Sequence, residues 1–292
     1  MGKVESGYYK HFKGNIYRVL FEVKHTETGE DMVVYQAMYG NADTWARPKS
    51  MFIDEGRFTK IDDTEALKQI PQYLNPKYNF PNIEYVPELV DLIDKESLSS
   101  PVKAMITLLS KKNIITPDFC SGFKKDDDVE KEILRRIKEY SPGDNLEEVF
   151  HLIQIWGGAT GRYIYIFDGG FSWDKVSESY NELVDACLSV SDISDSSLNM
   201  LVDAINEFDK SVAHMGVAFI TKHTRFWLSR SLGNNALPIY DSIMANCVMR
   251  KNTVEAKHLF EYWSVMIAKA QQLGIGLMPL ERQIFKYAYE QR

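Results

Sequence analysis

Residues 217–242 read VAFITKHTRFWLSRSLGNNALPIYDS, and the fold of the larger part of the chain turns on this stretch. Ile220, Phe226, Trp227 and Leu228 fall at the spacing of a packed helix, expected over 219–232. Lys222 stands in the first turn of that expected helix. Asp241 follows Pro238 just beyond the next loop, 19 residues after Lys222. An ordinary core helix needs neither charge. A nucleophilic lysine must be neutral, so its pKa has to fall from about 10.4 toward the working pH. Apolar neighbours and the positive end of a helix dipole both lower it. Each residue has two readings. Lys222 is a catalytic amine, or a surface lysine whose stem lies along apolar neighbours. Asp241 is the N-cap of the apolar segment IMANCVM, or a carboxylate that takes a proton and stabilises a developing cation.

Outward from this stretch, the chain reads as helical from about residue 97. Ser100 before Pro101 is an N-cap and first-turn signal, and VEKEILRRIKEY places Ile133, Ile137 and Tyr140 on one face. Asn145 with Glu148 forms a capping box opening LEEVFHLIQIW. Further helices are expected near 174–188, 196–208, 242–249 and 253–273. The run Asp126–Asp128 reads as a solvated loop or a helix start, since no His or further acid stands at metal-ligand spacing.

Residues 1–61 read differently. NIYRVLFEVKH, MVVYQAMY, TWARPKSMFI and RFTKI are strand-like and separated by turns, TETGED with Gly29 among them. Short strands at this density imply a small, strongly bent β-barrel or half-barrel. YYKHFKGNIYRVL, HTETGEDMVVYQAMYG and WARPKSMF resemble an uncharacterised bacterial family of small β domains. Tyr9, His11, Tyr35, Trp45 and Arg47 line a ligand groove on one reading and form the core on the other. Residues 62–96, with four prolines in IPQYLNPKYNFPNIEYVPELVDLI, read as a connector. The expected layout is therefore α+β: a small barrel-like β domain (1–61), a Pro-rich connector (62–96) and an all-α domain (97–292).

Composition narrows the class. The chain has 292 residues, 45% hydrophobic and 26% charged, which is a globular balance. No apolar run approaches the roughly 18 residues of a membrane span, and MGKVESGYYK lacks a signal-peptide apolar region. The expected partner set excludes membranes, and the expected compartment is the cytoplasm. Cys120, Cys187 and Cys247 are odd in number and far apart, which suits reduced thiols and no cysteine-built metal site. The net charge of -7 is unevenly distributed. Lys plus Arg against Asp plus Glu count 9 to 8 over residues 1–61, 15 to 28 over 62–210 and 10 to 5 over 211–292. A basic C-terminal part thus follows an acidic middle.

The motifs MGVAFITK and PIYD resemble the helix–hairpin–helix DNA glycosylases, in the bacterial branch built on the 8-oxoguanine DNA glycosylase fold. Those enzymes carry a glycine-containing hairpin, then Thr-Lys opening a helix, and about nineteen residues later an aspartate closely preceded by proline. Thr221, Lys222 and Asp241 fall on these positions, with Pro238 near the proline. LIQIWGGATGR, Leu152 to Arg162, resembles the family's helix and loop that enters the DNA stack. Two departures stand out: Gly216 is alone where the family has Gly-x-Gly, and Trp156-Gly157-Gly158 replaces the polar residues of the intercalating loop.

The resemblance implies an enzyme that flips a modified or damaged base out of double-stranded DNA and excises it through a Schiff base on Lys222. Asp241 stabilises the sugar cation, and an AP-lyase nick can follow. It implies DNA contacts at Gln154, Trp156, Gly157, Gly158, Arg162, Gly216, Thr221 and Arg225, with Arg230 a further phosphate contact. A base pocket is expected against Phe260 and Trp263, with Met266 beside them. It implies no metal or other cofactor and a monomer, and the branch resembles candidates for antiphage defence. Two other readings stand beside it: a non-catalytic reader of modified DNA, and a protein-interaction adaptor suited to the acidic middle.

Overall fold

Alternating Tyr, Val and Ile residues before position 61 build five strands: β1 (Gly7–His11), β2 (Ile16–Lys24), β3 (Asp31–Ala37), β4 (Thr44–Pro48) and β5 (Phe58–Lys60). The computed structural model describes residues 3–54, 56–90, 96–160, 167 and 171–291. The chain divides into two units, Met1–Asn79 and Phe80–Arg292. In the first, the strands pair antiparallel in the order β4-β3-β2-β1-β5. Gly29 takes the left-handed conformation (φ +69°) that the β2–β3 turn requires. A register shift between Val19 and Phe21 bends β2.

Both faces of the sheet are covered. Tyr9, Val19, Val33 and Tyr35 pack under Phe52 of a short helix, α1 (Lys49–Phe52). Tyr8, Ile16 and Met38 pack against Ala66 and Ile70 at α2 (Asp63–Gln69). The Asp62 carboxylate caps α2 by accepting from Thr64 N at 2.8 Å. The Phe52 and Phe58 rings stack at 4.3 Å, and the Arg47 guanidinium of β4 lies 5.9 Å from the Phe58 ring of β5. Opposite edges of the sheet therefore approach through side chains. No ladder joins β4 to β5 among the described residues, so the expected barrel is a curled, open sheet.

The stretch read as a connector is shared between the units. Residues 62–79 belong to the first, through Ala66, Ile70 and Leu74. Val86 belongs to the second, where its N–H donates to Gln283 Oε1 at 2.8 Å and its carbonyl accepts from Gln283 Nε2 at 2.7 Å.

The second unit is helical: α3 (Ser100–Lys111), α4 (Asp126–Glu139), α5 (Glu147–Gly157), α6 (Trp173–Ser189), α7 (Asp195–Ser211), α8 (Gly216–Leu232), α9 (Ser242–Met249), α10 (Leu259–Leu273) and α11 (Leu277–Glu290). Helix α8 is buried nearly all round and is surrounded by α4, α5, α6 and α7. Several boundaries differ from expectation. The N-cap of α3 is Ser99, not Ser100. Asn145 Oδ1 accepts from Glu147 N, two residues on, so no capping box forms; Glu148 instead pairs with Arg136. Asp126 opens α4, and Asp128 accepts from the N–H groups of Lys124 and Lys125. Helix α10 begins only at Leu259, after a 3-10 turn at Ala256–His258. No helix among the described residues is long and apolar enough to cross a membrane.

Candidate active site

Helices α7 and α8 form a hairpin whose turn holds His214 and Gly216 at positive φ (69° and 68°). Because α8 begins at Gly216, Lys222 lies in its second turn, not its first. The helix dipole fades within the first turn, so burial is what remains to depress the amine. Burial does so: the Lys222 ammonium is held below the ordinary lysine value, while the carboxylates of Asp241 and Glu281 pull the other way. Lys222 Nζ sits 4.0 Å over the Phe219 ring, and no ion pair holds it among the described residues.

The segment Ala236–Asp241 is extended inside the core, where its backbone groups need partners. Four side chains supply them. Thr221 Oγ1 accepts from Tyr240 N at 3.1 Å, and Glu281 Oε1 accepts from Ile239 N at 2.6 Å. Tyr262 OH donates to the Ile239 carbonyl at 2.8 Å, and Trp263 Nε1 donates to the Pro238 carbonyl at 3.0 Å. Three helices thereby fix the chain immediately before Asp241. Asp241 itself caps α9: its Oδ1 accepts from Ile243 N and Met244 N, both at 2.9 Å. Its Oδ2 has no hydrogen-bond partner among the described residues. Asp241 is half-buried.

The end of α5 lies against the lysine. A Cβ on Gly157 would fall 2.5 Å from Phe219 Cε1 and 3.2 Å from Lys222 Cδ. A Cβ on Gly158 would fall 2.7 Å from Pro101 Cβ. The glycine pair therefore serves close backbone approach.

Several expected DNA contacts are placed elsewhere by packing. Gln154 is fully buried, with Nε2 2.9 Å from His223 Nε2. Trp156 is half-buried and packs edge-to-face on Phe226 at 4.9 Å, so it does not project as a wedge. Thr221 is buried and occupied by Tyr240. Arg225 is 2% exposed and faces Glu281 at 3.4 Å and Glu130 at 3.7 Å, which removes it from any phosphate face. Arg230 donates to the Ile137 and Tyr140 carbonyls at the end of α4. Trp263 is fully buried and Phe260 half-buried; with the indole held on Pro238, Trp263 is scaffold and not an open stacking wall. Met266 is core as well. Gly216 is exposed with open space before it, and the Asp209 carboxylate lies close enough to its N–H to feel it, which disfavours a phosphate at the same place. Arg162 lies outside the described residues.

Other site residues emerge only from the structure. Glu281 is buried, its carboxyl pushed above the ordinary range by desolvation and pulled back by Arg225. Arg225 Nε and Glu281 Oε2 face each other as charges without hydrogen-bond geometry, and each lacks a hydrogen-bond partner. On the other side of α8, His223 Nδ1 is 2.8 Å from Tyr180 OH, which also accepts from Trp227 Nε1 at 2.9 Å. Burial holds the His223 ring neutral. The signal for Glu281 in the sequence is a single carboxylate within LMPLERQIF, preceded by four apolar residues. No group of three or more His, Cys, Asp or Glu among the described residues is arranged to hold a metal.

Residues 7–61 match a protein family described as a protein of unknown function, DUF1653. No curated protein matches the chain. No solved structure matches it.

Proposed function

We propose that the helical unit is a DNA glycosylase with lyase activity that excises a modified base through Lys222. One observation carries this reading: an amine depressed by burial and, among the described residues, free of ion pairs stands within electrostatic reach of an aspartate one of whose carboxylate oxygens has no partner among them. The spacing of Thr221-Lys222 and Asp241 and its resemblance to helix–hairpin–helix glycosylases supply the reaction class. The neutral Nζ attacks C1′ of the extruded nucleotide, and the C1′–N bond electrons leave with the base. Asp241 Oδ2 stabilises the positive charge on the sugar and accepts the proton released by the attacking amine. Opening of the sugar gives the imine, from which loss of a C2′ proton expels the 3′-phosphate.

The Asp209 carboxylate beside Gly216, at the turn where a phosphate would be gripped, favours a second reading, a helical unit that binds a protein partner and not DNA. Borohydride trapping separates the two. The intact chain is expected to form a covalent adduct with at least one duplex from a panel of modified bases, and Lys222→Gln is expected to abolish it while far-UV circular dichroism stays unchanged. A Gln variant that still traps removes Lys222 as the nucleophile. An intact chain that traps none of the panel favours the adaptor.

A further inference from the structure

The curled face of the β unit has an interior and a rim. Its interior is the core under Phe52. Toward the other end of the same face, His11, Tyr17 and Phe58 are only half-buried, with His11 and Tyr17 4.9 and 5.6 Å from Phe58. Strand register sets Trp45 beside Tyr35 on this face, and it is 53% exposed. Phe12, whose ring lies 4.4 Å from His11, is 65% exposed. So many flat rings left open to solvent by so small a unit are more than its core needs.

Lys13, Arg47 and Arg57 bring positive charge to this rim. Arg47 reaches over Phe58, and its Nη1 is closed off from solvent without a hydrogen-bond partner. Lys13 lies 5.8 Å over Phe12. Lys13, Arg47 and Arg57 form no ion pair among the described residues. Burial, helped by their combined field, keeps the His11 ring below its ordinary pKa. Such a field repels the cationic ligands that aromatic cages otherwise take. It suits an anion, and the buried guanidinium N–H without an acceptor asks for one.

We propose that this rim is a binding site for a nucleotide, the base stacking on Phe12 and its neighbouring rings and the phosphate meeting Arg47. The inference goes beyond the reading of the helical unit and stands whether or not Lys222 is a nucleophile. A free nucleotide and a single nucleic-acid strand offer the same chemistry, and the test distinguishes them.

The full chain is titrated calorimetrically with deoxyadenosine 5′-monophosphate, deoxyadenosine, inorganic phosphate and a short single deoxyadenylate strand. The monophosphate is expected to bind roughly tenfold or more tighter than deoxyadenosine or phosphate alone. Arg47→Met, which keeps an apolar side chain over Phe58, and Phe12→Ser, at an exposed position outside the core, are each expected to weaken it by roughly tenfold. If Arg47→Met fails to fold, Phe12→Ser decides alone. Tighter binding of the strand than of the mononucleotide assigns the site to nucleic acid, and the reverse order assigns it to free nucleotides; both uphold the proposal. It is overturned if neither ligand binds, if inorganic phosphate binds as tightly as the nucleotide, or if the folded variants bind as the parent does.

Discussion

Asp241 divides its carboxylate between two tasks, and substitutions can separate them. Asparagine keeps an acceptor for Ile243 N and Met244 N but carries no charge. Asp241→Asn is expected to leave thermal stability nearly unchanged and to slow base release in single-turnover assays by roughly a hundredfold or more. Asp241→Ala is expected to lose about 1 kcal/mol of stability as well. Full rate in the Asn variant would return Asp241 to capping alone. His151 makes a different residue-scale prediction. Its ring is 2% exposed, neither nitrogen has a hydrogen-bond partner, and Glu147 Oε1 stands 3.7 Å from Nε2. Burial lowers its pKa from 6.5 to about 4. Between these values the unfolded chain binds more protons than the folded one, so stability rises with pH through the window and falls on acidification. The loss on going from neutral pH to about 4 should be about 2–3 kcal/mol. Urea denaturation across this range should show that much of the slope removed in His151→Phe; an unaltered slope would assign the acid sensitivity elsewhere. The spacing of Lys222 and Asp241 was legible in the sequence because both belong to one local motif. Arg225 was not: its partners Glu130 and Glu281 come from α4 and α11, and a one-dimensional pattern carries no sign of that meeting.

At the scale of elements, the amphipathic and apolar runs announced most helices, while their ends were decided by contacts. Helix α8 begins earlier than its apolar pattern, at Gly216, whose positive φ turns the chain out of α7. That shift moves Lys222 from the first turn to the second, which changes what depresses its amine. Leu277–Glu290 forms a helix whose role, holding Ile239 through Glu281, depends on a chain segment 42 positions away. The close approach of α5 to α8 gives an element-scale prediction. Gly157→Ala drives a methyl into the Phe219 ring, itself only 5% exposed and hemmed in by the core. The expected result is a loss of roughly 1–3 kcal/mol, as for other overpacked sites. A thermal midpoint equal to the parent's would mean that α5 and α8 part more easily than their contacts suggest.

For the whole molecule, the division after Asn79 replaces the boundary near residue 61 as the place to cut. A chain beginning at Phe80 retains Lys222, Asp241 and every side chain that fixes residues 236–241. It is expected to fold, to keep the borohydride-trapped adduct, and, on the proposed glycosylase reading, to bind duplex with an affinity that falls as salt rises, since residues 211–292 carry ten Lys and Arg against five Asp and Glu. Affinity flat in salt would count against a duplex face on this unit. The curled sheet carries its own consequence for encounters between copies. Its unclosed rims are β4, of five residues and ending in Pro48, which has no N–H to offer, and β5, of three residues and ending in Lys60, which pairs with Glu5. Short length, a proline and a charge each discourage strand addition by a neighbour. Strand addition at either edge is thus disfavoured without the sheet having to close into a ring of hydrogen bonds.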